Sequence, residues 1–444
     1  MSTAESPQTG SGSGRKFITW RSLMMAAGPG LIFAGASIGV SHLVQSTRAG
    51  ALFGFGLLWA VLVANLFKYP ALEFGPRYAT ATGESLIEGY RRVGLWALIL
   101  FLILTFATMF TIQAGVTLVT GSLATIAFGE INLPFFAAPA VAWSVILMLV
   151  MAVLLVAGRY PLLDLLVKII VVVLTVSTVA AVVLMLVAGE RTVAEDFTPT
   201  PMWDAAAIIF LVALIGWMPT TVDLSVWNSL WRQERTKQTA HRPTMWENQV
   251  DFNTGYIVTV LLAVVFLALG ALVMYGTGES FEQGSVPFAR QFLNLYATSL
   301  GEWSRPLVLA AAVTAMFSTS LACLDAFPRL LSRSTAVLFL GGAGDPRERF
   351  WYRSWLVVVF VGAVIVMQFF AATLTGLIDL AATLSFLVAP VFAWLNHLVV
   401  TSRHMPAEAR PKPWLRVLSI LGIIYLAVFA AGYIVFRVWL HYAG

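Results

Sequence analysis

Eleven stretches of this chain run for about twenty residues or more with almost no charge, near 22–47, 53–79, 95–121, 135–157, 161–188, 203–230, 252–276, 304–336, 352–371, 373–400 and 414–438. A helix needs about 20 apolar residues to cross the hydrocarbon layer of a bilayer. Within that layer each backbone polar group must be satisfied internally, which leaves only helices and closed barrels. The runs are continuous rather than alternating with period two, so a barrel is excluded. The expectation is an all-α polytopic membrane protein of about eleven transmembrane helices.

Composition agrees. Only 11% of the 444 residues are charged and 59% are hydrophobic, whereas soluble domains carry roughly 25% charge. Soluble enzymes and nucleic-acid binders are set aside, and the net charge of +5 belongs to the loops. The single cysteine, Cys323, rules out an internal disulfide. No loop is long enough for a separate domain. Residues 22–438 therefore read as one transmembrane domain, preceded by a disordered cytoplasmic tail (1–21) and followed by a short outer tail (439–444).

Lys and Arg set the orientation. With the N-terminus in the cytoplasm, the inner side collects Arg15, Lys16, Arg21, Arg77, Arg91, Arg92, Arg159, Arg232, Arg235, Lys237 and Arg242. Arg347, Arg349, Arg353, Arg403, Arg410 and Lys412 join them, against Arg48, Arg191, Arg290, Arg305 and Arg437 outside. Basic residues concentrate in cytoplasmic loops, so eleven spans put the C-terminus outside a plasma (inner) membrane. The stretch 285–303 is mildly amphipathic and reads as an outer helix lying across the bundle.

Segments one and six carry breakers at their centres. Segment one has Gly35, Gly39 and Ser41, followed by His42 and Gln45; segment six has Gly216, Met218, Pro219, Thr220 and Thr221. Proline removes a helical hydrogen bond, so an unwound stretch is expected at Pro219. The two lie five segments apart, the spacing of inverted five-helix repeats whose first helices are discontinuous. Freed backbone groups at such breaks are tolerated where they line a cavity. Two ordinary kinked helices would leave the same trace in the sequence.

A family resemblance rests on Gly28-Pro29-Gly30, Ala49-Gly50-Ala51, Leu57-Leu58-Trp59, Asn65, Arg77, Thr82-Gly83, Met218-Pro219 and Ser318-Thr319 with the basic loop ending at Arg353. Together these resemble the Nramp family of proton-coupled divalent-metal transporters. The resemblance implies a LeuT-type fold, helices 1–5 and 6–10 as inverted repeats plus an eleventh. It is densest over residues 25–92.

The likeness fails at the chemistry. Where the family has Asp-Pro-Gly-Asn in its first helix, this chain reads Gly39-Val40-Ser41-His42, and Met-Pro-His becomes Met218-Pro219-Thr220. A second family histidine falls on Ser225, and the third helix holds no acid, with Gln113 in that region. A dehydrated dication needs anionic or several strong neutral ligands. His42 and Met218 remain as candidate metal ligands, a pair suited to softer transition metals. Gly39, Ser41, Gln45, Thr220, Thr221 and the intramembrane acid Asp223 are the other candidate substrate residues. A hydrated ion held through its water by hydroxyls and Gln is the alternative mode.

Further polar residues read as structural: Asp164 with Lys168, and Lys68 with Glu73 and Arg77, as ion pairs, with His397 interfacial. Asp325 and Asp379 lie well inside their spans, and Asp379 is a candidate for facing the path. The five histidines and one cysteine form no zinc pattern, and no nucleotide motif appears. The expectation is a secondary transporter, not an enzyme, with no cofactor. It is read as a monomer whose partners are the lipid bilayer and a small-ion or small-molecule substrate. A small cation, first of all a divalent metal, leads. A small polar or organic solute on the same fold is the alternative, and a non-transporting membrane sensor the third reading. Proton coupling is expected to be weakened or absent.

Overall fold

The computed structural model describes residues 20–158, 160–189, 193–342 and 344–443, with the side chains of 20, 160–171, 188 and 443 outside that description. The expected Asp164–Lys168 pair and most of the N-terminal tail therefore lie outside the described residues.

The first spanning segment is built in pieces: α1 (Trp20–Ala26), α2 (Pro29–Ser37), a π-helical turn (Ser41–Ser46) and α3 (Thr47–Phe53). Next come α4 (Leu58–Thr82), the short amphipathic α5 (Leu86–Val93), α6 (Leu95–Phe128), α7 (Pro139–Ala157) and α8 (Tyr160–Ala188). The sixth segment is α9 (Ala205–Trp217) and α10 (Leu224–Thr239), and α11 (Met245–Val273) follows. Then come α12 (Ser285–Leu300), α13 (Ser304–Thr335), α14 (Glu348–Phe369), α15 (Leu374–Thr401) and α16 (Pro413–Ala443). No strand occurs among the described residues.

Among the described residues, seven helices are long and apolar enough to cross a membrane by length and composition alone: α6, α7, α11, α13, α14, α15 and α16. Segments one and six fall short because they are split. In α4, Asn65, Lys68 and Glu73 interrupt the apolar run. The outer surface is that of a lipid-facing bundle. Val361 on α14 and Val428 on α16 are 49% and 63% exposed, while Val359 and Leu426 beside them are buried. Two boundaries differ from the sequence reading: helix already begins at Trp20, and α16 continues through 439–443 in place of a short tail.

Helix α11 runs behind the whole of segment one, touching α1, α2, the π-turn and α3. Glycine permits this approach. A Cβ on Gly50 would sit 1.9 Å from the Leu267 carbonyl, and one on Gly270 would sit 2.1 Å from that of Thr47. Small residues at a crossing let two backbones touch, which drives helix association in lipid, where hydrophobic pressure between helices is absent.

The α1–α2 junction, inside the apolar segment 22–47, is organised by Asp251 of α11. Its carboxylate accepts from the N–H groups of Gly28 (3.1 Å) and Gly30 (2.8 Å), at the positive N-terminal end of α2. It also pairs with Arg232 of α10 at 2.5 Å, and Arg232 donates to the Ala26 carbonyl. One buried carboxylate thus joins segments one, six and seven.

Candidate functional site

Both expected breaks are present, and they face each other. Segment one leaves the α-helical path at Ile38 and Gly39, where the Gly39 N–H reaches only the Ser37 carbonyl (2.8 Å). A wider turn then spans Ser41–Ser46. Such π-turns hold an extra residue and occur frequently at functional sites. Segment six unwinds over residues 218–223, through a cis Met218–Pro219 peptide. The Ser41 hydroxyl bridges the two, lying 2.6 Å from the Ser37 carbonyl and 3.2 Å from that of Pro219.

Between the breaks lies a small, partly open cavity of about 40 Å³. Segment one supplies Ala36, Ser37, Val40 and Ser41; segment six supplies Trp217, Thr220, Thr221, Leu224 and Trp227. The remaining walls are Ile112 and Val116 of α6 and Thr319 and Cys323 of α13. The lining is hydroxyl, thiol, indole and aliphatic, with no charged side chain in it.

Of the residues singled out from sequence, Ser41, Thr220 and Thr221 line this cavity. Gly39 is not a lining residue but abuts one: a Cβ on it would come within 2.7 Å of the Thr319 side chain. That contact gives a physical reason why no larger side chain occupies the position without a shift of Thr319.

His42 is placed elsewhere. Its ring is fully buried against α11, with Nε2 2.8 Å from the Thr259 carbonyl and Nδ1 2.7 Å from the Ser41 hydroxyl. A carbonyl can only accept, so Nε2 carries the hydrogen, and Nδ1 is an acceptor that shares the single Ser41 hydroxyl hydrogen with the Ser37 and Pro219 carbonyls. His42 is not among the residues that line the cavity. Met218 is fully buried at the break and is not part of the cavity lining. Gln45 donates to Asp379 (3.0 Å) and accepts from Arg48 (3.1 Å).

That last network ties segment one to α15. Arg48 donates to both oxygens of Asp379, at 2.7 and 3.0 Å, and its guanidinium lies over the Phe210 ring. At the opposite end Glu73–Arg77 reaches the Ala409 carbonyl, and Arg333 sits between Glu88 and Glu348. Asp325 pairs with Arg329 and accepts from Tyr352.

Asp223 is buried beside the cavity, between the lining residues Thr221 and Leu224, and its two oxygens accept no hydrogen bond of normal geometry. Lys68, read from sequence as a partner of Glu73, is not one. Arg77 takes Glu73 alone, and the Lys68 ammonium donates instead to carbonyls at the break of segment six. A lysine in mid-span with a single nearby acid already claimed by arginine was the signal available for this. Ser225, on the position of the family's second histidine, accepts from the Gly75 N–H (3.0 Å) and so packs α10 on α4. Gln113 donates to Thr117 (2.8 Å) and to the Ser320 carbonyl (3.4 Å).

The family model described as natural resistance-associated macrophage protein-like matches residues 30–436. The chain belongs to the Nramp family. It is therefore an integral membrane transporter rather than an enzyme. It is 36% identical over 416 residues to an uncharacterised Pasteurella multocida protein, covering 93% of this chain and 92% of that one. A divalent metal cation transporter of Acidiphilium cryptum is 32% identical over 69 residues, 16% of each. In three dimensions the Nramp chain resembles the Eremococcus coleocola manganese transporter in complex with an aromatic bis-isothiourea substituted compound. The TM-score is 0.68 at 16% identity, covering 96% of this chain and 88% of that one. This likeness establishes the LeuT-type fold.

Proposed function

We propose that this Nramp protein is a secondary transporter of a small cation, a divalent metal ion being the first candidate, by alternating access around the cavity between its two breaks. The reading is carried by Asp223. Two buried carboxylate oxygens with no hydrogen bond of normal geometry, near only Thr221, the first backbone N–H groups of α10 and the Lys68 charge, are costly unless a cation or proton neutralises them. The cavity beside them offers hydroxyl oxygens and no competing charge. A metal ion that keeps part of its water shell suits those donors, because Ser41, Thr220 and Thr221 can bond to bound water without replacing it. The relatives named for divalent metal and manganese transport support this cargo. Proton coupling is weakened or absent in this reading, since α6 brings no acid to the cavity. The protein works as a monomer in the plasma membrane, with its N-terminus cytoplasmic and its C-terminus outside.

Uptake into proteoliposomes tests the cargo with a panel of Mn2+, Zn2+, Mg2+ and small solutes. Metal flux that falls by about tenfold or more in Asp223→Asn, equivalent to about 1.4 kcal/mol, supports the reading. Metal flux unaffected by that change, or solute flux independent of metal, overturns it.

One observation favours a small polar organic solute as the second reading. Trp227 lines the cavity, and its indole N–H is buried without a hydrogen-bond partner. Such a donor matches an acceptor group on an organic molecule, with the rings of Trp217 and Trp227 as apolar walls.

A further inference from the structure

Lys68 sits in the middle of α4, is fully buried, and forms no salt bridge among the described residues. Its ammonium has three hydrogens and three acceptors: the carbonyls of Ile215 (2.6 Å), Gly216 (2.7 Å) and Thr220 (3.2 Å). Two of these are C-terminal carbonyls of α9, the negative end of that half-helix, and that of Ile215 also accepts a long bond from the Met218 N–H (3.4 Å). The third belongs to the unwound stretch and to a residue whose side chain lines the cavity. Asp223, on the far side of the same break, is within electrostatic reach of the ammonium but makes no hydrogen bond to it.

Unwound carbonyls at a half-helix C-terminus are the kind of ligand set that holds a dissociable cation in discontinuous membrane helices. We propose that the Lys68 ammonium is a tethered cation that fills this carbonyl site permanently and keeps segment six unwound without any bound ion. The consequence is specific. Removing the ammonium, but leaving the carbonyls, creates a vacant site for a small monovalent cation. An ammonium ion, which offers the same N–H donors, fits that site, as does an alkali ion coordinated by the three oxygens.

The experiment uses the full-length purified protein and reads its thermal midpoint, so its outcome does not depend on which cargo is carried. Wild type and Lys68→Ala are melted with N-methylglucamine as the only added cation and then with increasing NH4+, K+ or Na+. The expected result is that Lys68→Ala melts lower than wild type in N-methylglucamine. It then recovers by ~2 °C or more, saturably, with at least one small cation, as binding to the folded state alone requires. Wild type and Lys68→Arg, which keep a charge, show no such cation-specific rise. If Lys68→Ala is too unstable to purify, Lys68→Gln is measured in the same way. A variant that melts like wild type without small cations, or that melts lower and responds to none of them, overturns the proposal.

Discussion

Arg48 and Asp379 close one end of the molecule as a two-pronged ion pair, with Gln45 bonded to both. Arg48 lies beyond the break of segment one and Asp379 near the start of α15, so the pair fastens two separately built segments together. Both side chains keep partial solvent contact, 11% and 26% exposed, so the pair can part without a large cost.

An ion pair of this exposure contributes roughly 1 kcal/mol, enough to shift a two-state equilibrium about fivefold. Cys323 supplies the readout, since it is the chain's single thiol, lines the cavity and is 3% exposed. Arg48→Gln and Asp379→Asn are expected to speed its modification by a small thiol reagent several-fold, with Cys323→Ala as the blank. Unchanged rates in both variants would mean that the pair does not hold this end shut.

His42 is expected to act through packing. Truncation to alanine removes a fully buried ring and its hydrogen bond to the Thr259 carbonyl, at a cost of about 1–3 kcal/mol. The variant should melt several degrees lower, while whatever uptake remains keeps its KM within about threefold, since no uniform binding contact is lost. A histidine that ligates cargo would give the reverse pattern, with lost binding at an unchanged melting temperature.

The Asp251–Arg232 pair is buried on both sides, and removing one partner of such a pair costs about 3–5 kcal/mol. Asp251→Asn should therefore lower the yield of folded protein sharply. The double change Asp251→Asn with Arg232→Met should recover part of that loss, because the orphaned guanidinium is gone. Size-exclusion profiles and melting of Asp251→Asn, Arg232→Met and the double variant measure the coupling, and strict additivity would show that the two side chains do not act together.

The eleven segments, both breaks and the family were legible because long apolar runs, Gly39 and Pro219 act locally, within a few residues of where they stand. The direction in which a side chain points was not. His42 and Gln45 sit beside the break as expected, yet the wider π-turn carries one toward Thr259 and the other toward Asp379. Lys68 was paired by sequence distance with Glu73, but the acceptors it meets belong to residues almost 150 positions away. Ile112, Val116 and Cys323 enter the cavity wall only because α6 and α13 are packed there. Their apolar character gives no hint of it in the sequence.

The seam between Gly50 and Gly270 has a consequence for how this chain can vary over time. Two backbones in contact leave no rotamer to adjust and no side chain to trim, so a methyl group at either position must push the helices apart. A second substitution at the partner position only widens the gap. Each glycine therefore constrains the other, and a side chain added at either is expected to cost more than a change at the lipid-facing positions around them.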